Sequence, residues 1–206
     1  MIVLFIMVVF AAAGFFVLFS PWTQEAIAFW PLMCLVTGLL AGGSVALDRG
    51  PQVRLLGQIS RADVAIGLLS AVLLYVVFWV GYFIATLILP FAAEQVGSIY
   101  TIRQEAPLWV IGLLLVFWIG PAEEIFWRGF VQRRLCGRYG LLPGFIVTAA
   151  IYALVHVWSF NLMLIAAAAV AGGFWGLLFL ATRRLWPCII SHALWDVMIF
   201  VLWTIG

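Results

Sequence analysis

The sequence contains no lysine and has few charged residues of any kind. Charged residues make up 9% of the 206 positions and hydrophobic residues make up 67%. A soluble globular domain has about 25% charged and about 45–50% apolar residues, so a water-soluble fold is excluded. The ten basic residues are all arginines, they are spread over several loops, and they form no basic tail. This pattern gives no support to nucleic-acid binding.

Cysteine is also scarce, and the three cysteines show no CxxC spacing. The number of cysteines is odd, and the three lie far apart in sequence, at Cys34, Cys136 and Cys188. This pattern indicates neither a disulfide framework nor a cysteine metal site. The first residues, Met-Ile-Val-Leu-Phe, lack the basic region that begins a secretory signal. We therefore expect the N-terminal segment to be retained as a membrane span.

Long apolar segments take up most of the chain. A helix of about 20 apolar residues is needed to cross a hydrocarbon core of about 30 Å. The segments predict an all-α, polytopic transmembrane helix bundle of about seven spans that forms one domain over residues 1–206. The predicted spans are Met1 to Phe19, Ala26 to Leu47, Val64 to Leu89, Pro107 to about Arg134, Gly144 to Trp158, Leu162 to Ala181, and Leu185 to the C-terminus.

The arginines are distributed unevenly between the loops. Eight of them lie in alternate loops, namely Arg49, Arg54 and Arg61, then Arg133, Arg134 and Arg138, then Arg183 and Arg184. The remaining loops contain only Arg103. Because short cytoplasmic loops collect positive charge, we expect these three loops in the cytoplasm and both termini outside. The protein is predicted to be a multi-pass protein of the cytoplasmic membrane of a prokaryote.

Several ionisable residues lie inside the predicted spans. A charged side chain at the bilayer centre costs at least about 2.5–3.5 kcal/mol, so such residues are candidates for a functional site. Asp48, Asp63, Glu25, Glu94 and Glu105 instead fall at loops or span ends, where we expect them to need only water. The candidates within spans are Glu123, Glu124, Arg128, His156, His192 and Asp196.

Helical geometry separates the two adjacent glutamates. Glu124 and Arg128 are four residues apart and share one face, whereas Glu123 is turned by about 100° from Glu124. Arg128 can therefore neutralise Glu124, and Glu123 is left to face the bundle interior as a general base. Structural interpretations stay open: the Glu124–Arg128 pair can be a clamp between helices, and His156 can simply hydrogen-bond a neighbouring helix. Tyr152, one turn before His156, is expected to serve packing.

Known types of intramembrane protease require different catalytic residues, and most of these sets are absent from the sequence. The sequence has no HExxH motif for a zinc protease, no serine in a Gly-x-Ser-Gly context, and only one intramembrane aspartate, Asp196. The three patterns Glu123-Glu124-x-x-x-Arg128, Tyr152-x-x-x-His156 and His192-x-x-x-Asp196 resemble the motifs of the CAAX-protease and bacteriocin-processing family, the Rce1/Abi-like glutamic intramembrane proteases. The resemblance covers about residues 107–200.

The resemblance implies peptide-bond hydrolysis in a cavity open to the cytoplasmic side, acting on a membrane-associated protein or peptide without a cofactor. Glu123, helped by His156, would activate a water molecule. His192 with Asp196 would stabilise the oxyanion, and Glu124 with Arg128 would support the site. Tyr152 replaces the usual phenylalanine, and Asp196 takes a place often filled by asparagine. An ionised carboxylate cannot donate a hydrogen bond, so Asp196 must be protonated, orient His192 or bind a metal.

The sequence leaves two alternative functions open. Glu123, His156 and His192 are a set of ligands able to bind zinc with a water in the open position, which would make the same hydrolysis zinc-dependent. The same ionisable residues could instead serve as a relay or as structure in a non-proteolytic transporter or immunity-type membrane protein. Against a transporter, no paired interrupted helices are evident in two halves of the chain.

Overall fold

The computed structural model describes residues 1–205, and within this range the chain is helical without any strand. Short 3₁₀ segments lie at Gln24–Ala26, Tyr100–Glu105 and Val157–Ser159. The helices are α1 (Ile2–Phe19), α2 (Phe29–Leu47), α3 (Arg49–Leu55), α4 (Arg61–Ile88), α5 (Ala92–Ile99), α6 (Leu108–Tyr139), α7 (Leu141–Leu154), α8 (Leu162–Thr182) and α9 (Leu185–Leu202).

Seven of these helices are long and apolar enough to cross a membrane. They are α1, α2, α4, α6, α8, α9, and α7 together with its 3₁₀ extension to Ser159. Large apolar side chains cover the outside of the bundle, and Leu69, Leu87 and Phe117 are each more than 70% exposed. Such an apolar surface is favourable in contact with lipid and unfavourable in contact with water. The prediction of an integral multi-pass membrane protein with seven spans is confirmed.

The helix that carries both glutamates is irregular. In α6, π-helical stretches at Leu115–Ile119 and Ile125–Gln132 flank the α-helical turn Gly120–Glu124. Gln52, from the short helix α3, is fully buried and donates from Nε2 to the backbone oxygen of Ile125 at 3.3 Å. Short π-helical insertions are frequent at functional sites, because they change which side chains share a face of the helix.

The next span follows α6 without a loop. Gly140 ends α6 with a φ of +93°, a conformation that glycine adopts without a steric penalty. α7 begins at the next residue and packs back along α6, and Gly144 faces the backbone of Leu135 and Cys136 so closely that no Cβ fits. This contact fixes α7, with Tyr152 and His156 at its far end, against the helix of the glutamates.

The three arginine-rich loops meet at one end of the bundle, which we call the arginine end. Asp48, which follows α2, pairs with Arg133 and Arg134 at the end of α6. Asp63, at the start of α4, is 2% exposed and pairs with Arg184, whose Nε lies 2.5 Å from Oδ1. These ion pairs hold the three loops together.

The expectation that the aspartates and glutamates at span ends need only water is wrong for several of them. Asp48 and Asp63 accept arginine partners at the arginine end. Glu105 accepts a hydrogen bond from the backbone N–H of Phe29 at 2.7 Å, at the first residue of α2. Each of these carboxylates joins segments that lie far apart in sequence.

The two termini lie at opposite ends of the bundle. Met7 of α1 packs against Gly43 near the end of α2, which places the N-terminus at the arginine end. At the other end, the backbone N–H of Ile205 donates to the hydroxyl of Tyr100 at 3.2 Å. The expectation that both termini lie outside is therefore wrong, because seven crossings are an odd number.

The loop between α4 and α6 is itself folded. The segment from Glu94 to Glu105 was expected to be a longer outer loop or a short surface helix, and the structure forms the short helix α5 followed by the 3₁₀ segment Tyr100–Glu105. Asn161, the N-cap of α8, donates from Nδ2 to the backbone oxygen of Gln95 at 2.8 Å. α5 is thereby fixed to the start of α8, at the end of the bundle away from the arginines.

Candidate active site

A cavity of about 560 Å³ lies inside the bundle, between α4, α6, α8 and α9, with α5 at one end. Most of its wall is apolar. The ionisable acidic and basic side chains that line it are Glu123, His156, His192 and Asp196. These are the four residues predicted to be catalytic, and three separate spans bring them to one space. Glu124 and Arg128 do not line the cavity.

Glu123 is almost fully buried and has one hydrogen-bond partner among the side chains. The hydroxyl of Tyr152 donates to its Oε2 at 3.0 Å. Tyr152 was expected to serve packing, and its ring does pack against Trp127, with centroids 5.1 Å apart. The hydroxyl contact is an additional role that packing alone does not explain. Its sequence signal is the tyrosine one turn before His156, where the family more often has phenylalanine.

His156 lies just after the end of α7, where the chain turns. Its Nδ1 is 2.8 Å from the backbone oxygen of Tyr152. A carbonyl oxygen can only accept, so the hydrogen is assigned to Nδ1 and the neutral ring has an acceptor at Nε2. Phe15 and Phe19 of α1 pack against the imidazole, with centroids 5.0 and 5.4 Å away. Tyr152 therefore contacts both groups, Glu123 through its hydroxyl and His156 through its carbonyl.

The predicted pairing of Glu124 with Arg128 is present in the structure. Both side chains are buried, and Arg128 Nη1 donates to Glu124 Oε1 at 2.9 Å. Arg128 Nη2 donates to the backbone oxygen of Gly172 at 3.0 Å. One turn further along α6, Gln132 donates in the same way to Gly176 of α8 at 2.9 Å. These polar contacts attach α6 to the backbone of α8.

His192 lies between two carboxylates. Its Nδ1 donates to Glu124 Oε1 at 2.8 Å, and its Nε2 lies 3.5 Å from Oδ2 of Asp196. The ring stacks on Trp175 of α8, with centroids 3.7 Å apart and planes inclined by 17°. The contact with Glu124 and the stacking on Trp175 were missed by the sequence analysis. Each joins residues on different helices, which periodicity within one helix cannot show.

A zinc site would need at least three ligand side chains close together in space. Within residues 1–205, no three or more histidine, cysteine, aspartate or glutamate side chains are grouped closely enough to hold a metal ion. Glu123, His156 and His192 line one cavity without forming such a group.

A model of a known family matches part of the chain. Residues 105–198, a little under half of the chain, match the family model described as type II CAAX prenyl endopeptidase Rce1-like. This part of the chain is similar to the Rce1-like family. The matched region contains all three motifs and agrees with the resemblance predicted over about residues 107–200. No curated protein and no solved structure matches the chain.

The Rce1-like region corresponds to α6 through most of α9, which supplies all four ionisable residues of the cavity. α1 to α5 lie outside the matched region and contribute much of the apolar wall, including Phe29, Phe78 and Tyr82. Similarity to this family implies protease activity of the CAAX type. The four ionisable residues of the cavity lie in the matched region, and the shape of the cavity depends on both parts of the chain.

Proposed function

We propose that the protein is an intramembrane endopeptidase in which Glu123 and His156 activate a water molecule. The proposal depends on one observation, namely that the two adjacent glutamates lie in different places. Glu123 faces the cavity together with His156, His192 and Asp196, whereas Glu124 lies outside it in a buried ion pair. A carboxylate on a cavity wall, kept apart from the nearby arginine, suits a general base.

The first step forms the bond between water and the scissile carbonyl carbon. Nε2 of His156, the free acceptor, holds one hydrogen of the water, and the Glu123 carboxylate takes the other as the water oxygen attacks. The π electrons of the carbonyl move to its oxygen, which becomes an oxyanion. Tyr152 keeps the carboxylate in place through the 3.0 Å hydrogen bond to Oε2. Such positioned acid–base catalysis contributes about 10²–10⁴-fold to a rate.

His192 stabilises the oxyanion in this mechanism. An imidazolium donates from both nitrogens, so His192 can donate to Glu124 through Nδ1 while Nε2 faces the reaction. The Asp196 carboxylate, with Oδ2 3.5 Å from Nε2, then orients the His192 ring and favours its protonated form. Asp196 does not itself donate a hydrogen bond to the oxyanion. A fixed donor at the developing oxyanion is worth about 10²–10³-fold in rate.

The second step breaks the peptide bond. The oxyanion re-forms a carbonyl, the C–N bond breaks, and the proton taken by Glu123 moves to the leaving nitrogen. The products are a carboxylic acid and an amine, and Glu123 returns to its ionised form. Glu124 and Arg128 take no proton in this cycle; they hold α6 against α8 and position His192.

The test is a cleavage assay on purified protein in proteoliposomes. Two probes are used, a prenylated CAAX-type peptide and a protein with one apolar transmembrane segment. Glu123→Gln keeps the volume of the side chain but removes the base, so cleavage should fall by at least about two orders of magnitude. The matched control is Glu94→Gln, an exposed glutamate on α5, which should cleave at the wild-type rate.

Wild-type protein that cleaves neither probe, but moves protons or solutes across the bilayer, would support the transporter alternative instead. Unchanged cleavage by Glu123→Gln would show that another group is the base.

A further inference from the structure

Trp175 lies on the face of α8 that packs against α6, in sequence between Gly172 and Gly176. The backbone oxygens of these two glycines accept the hydrogen bonds from Arg128 and Gln132. Positions 172, 175 and 176 share one side of a helix, because they are three and four residues apart. The indole of Trp175 is fully buried and forms part of the cavity wall. The face of α8 that binds α6 therefore also places a large aromatic ring in the site.

Three contacts fix the indole against α9. Its plane stacks on the imidazole of His192, with centroids 3.7 Å apart and planes inclined by 17°. Its Nε1 donates to Oγ of Ser191, the residue directly before His192, at 3.2 Å. The ring of Trp195 lies nearly perpendicular to it, with centroids 5.5 Å apart. Because all three partners belong to α9, the indole and the imidazole keep one orientation relative to each other.

The indole also lies next to two cationic groups. Cζ of Arg128 is 5.5 Å from the centroid of its ring, and the imidazole of His192 is closer still. Arg128 already balances the single charge of Glu124, so a protonated His192 adds a positive charge that Asp196 faces only at 3.5 Å. A cation within about 6 Å of a tryptophan face is attracted by the ring quadrupole, most strongly where water is excluded. The buried indole therefore stabilises the imidazolium that the mechanism uses.

We propose that Trp175 is a positioning residue for the reaction, whose indole holds the His192 imidazolium in one plane and leaves Nε2 to face the oxyanion. Its own N–H is bonded to Ser191, so Trp175 gives no hydrogen bond to the substrate. It acts only through His192. This inference rests on the proposed function, in which His192 stabilises the oxyanion, but the stacking of the two rings can be measured without any activity.

Two variants of Trp175 separate its aromatic face from its volume. Trp175→Phe and Trp175→Leu both remove Nε1 and leave a cavity, so both should lower the thermal stability. Only phenylalanine keeps an aromatic face for the imidazole. We expect kcat to fall by at least about tenfold for Trp175→Leu and to stay within about threefold of the wild type for Trp175→Phe, with KM little changed in both.

Trp186→Leu is the matched control. Trp186, at the start of α9, also donates from its indole nitrogen, to the backbone oxygen of Gly57 at 2.8 Å, and it does not line the cavity. This change should leave kcat unchanged. Equal losses of kcat in Trp175→Phe and Trp175→Leu would overturn the proposal, because volume and not the aromatic face would then matter. A rise in KM at constant kcat would also overturn it, since the indole would then bind substrate.

The stacking is measured by NMR on detergent-solubilised protein labelled at histidine. The chain has two histidines, His156 and His192, and the variant His156→Gln assigns their imidazole signals. The ring current of an indole shifts protons above its face upfield. The His192 signals should therefore lie upfield in the wild type, less so in Trp175→Phe, and lose this shift in Trp175→Leu. The His156 signals should not move. If Trp175→Leu does not fold, the reduced shift in Trp175→Phe tests the same contact.

His192 signals that are the same in the wild type and in the Trp175 variants would show that the rings do not stack and would overturn the inference. A wild-type protein that cleaves neither probe would contradict the proposed function, and the NMR shifts would still decide whether Trp175 holds His192. Stacked rings together with wild-type kcat in Trp175→Leu would keep the proposed function and refute the role of Trp175.

Discussion

The Oε1 atom of Glu124 is shared by two partners, lying 2.9 Å from Nη1 of Arg128 and 2.8 Å from Nδ1 of His192. Arg128 in turn donates to the backbone of Gly172 on α8. One carboxylate therefore connects α6, α8 and α9 at the level of the cavity. Glu123, its neighbour in sequence, has only the tyrosine hydroxyl as a side-chain partner. The two adjacent glutamates thus have different environments, and their substitution should have different consequences.

Glu124→Gln is expected to destabilise the protein. The amide cannot neutralise Arg128, and a buried ion pair that loses one partner costs about 3–5 kcal/mol, because the other charge is left uncompensated. A thermal-stability scan in detergent should show a large fall for Glu124→Gln and little change for Glu123→Gln. Glu94→Gln is again the exposed control. A Glu124→Gln protein as stable as the wild type would contradict the clamp assigned to this residue.

Tyr152→Phe is expected to slow cleavage. The change removes one hydroxyl and leaves the ring and the backbone carbonyl that binds His156. A hydrogen bond to a charged group contributes about 1.5–3 kcal/mol, so kcat should fall at least about tenfold, with KM little changed. The control is Tyr139→Phe, an exposed tyrosine at the end of α6. A rise in KM at constant kcat would show that Tyr152 binds substrate and does not position Glu123.

Gly172→Ala is expected to disturb the site through packing. A Cβ at Gly172 would meet Cδ1 of Tyr152 at 2.7 Å, whereas a Cβ at Gly173 would meet nothing within 4 Å. Overpacking of this kind costs about 1–3 kcal/mol. Gly173→Ala should be neutral or stabilising by up to about 1 kcal/mol, since alanine favours the helix. Stability and cleavage measured on both variants test this, and equal behaviour of the two would refute the contact.

Strong chelators are expected to leave activity intact if Glu123 and His156 activate water without a metal. The measurement is cleavage before and after treatment with a chelator, together with metal analysis of the purified protein. A zinc site would instead lose its metal and its activity together and regain both on reconstitution. Stoichiometric zinc that follows activity in this way would decide for the zinc-dependent form of the hydrolysis.

Much of the fold could be predicted from the sequence, because the spans are local features. A run of apolar residues must be helical in lipid, where each backbone N–H and C=O needs an internal partner. The predicted Leu162 to Ala181 therefore differs by one residue from the observed Leu162–Thr182. The contact between Glu124 and Arg128 is local in the same sense, since four residues are about one turn of a helix.

Contacts between distant segments could not be predicted in this way. Asp63 was expected to need only water, yet its partner Arg184 is 121 residues away. The hydroxyl of Tyr152 reaches Glu123 across 29 residues. Two of the catalytic candidates lie in an α6 with π-helical stretches and just after the end of α7, and neither irregularity could be predicted from the spacing.

The sequence by itself determined that this chain is a seven-span membrane protein with three Rce1-like motifs, because hydrophobicity and helical spacing act over short distances. The tertiary structure alone decided that four ionisable residues share one cavity and that Tyr152 and Trp175 support them. These features depend on which helices pack together, and helix packing is fixed by the fit of side chains from segments far apart in the chain.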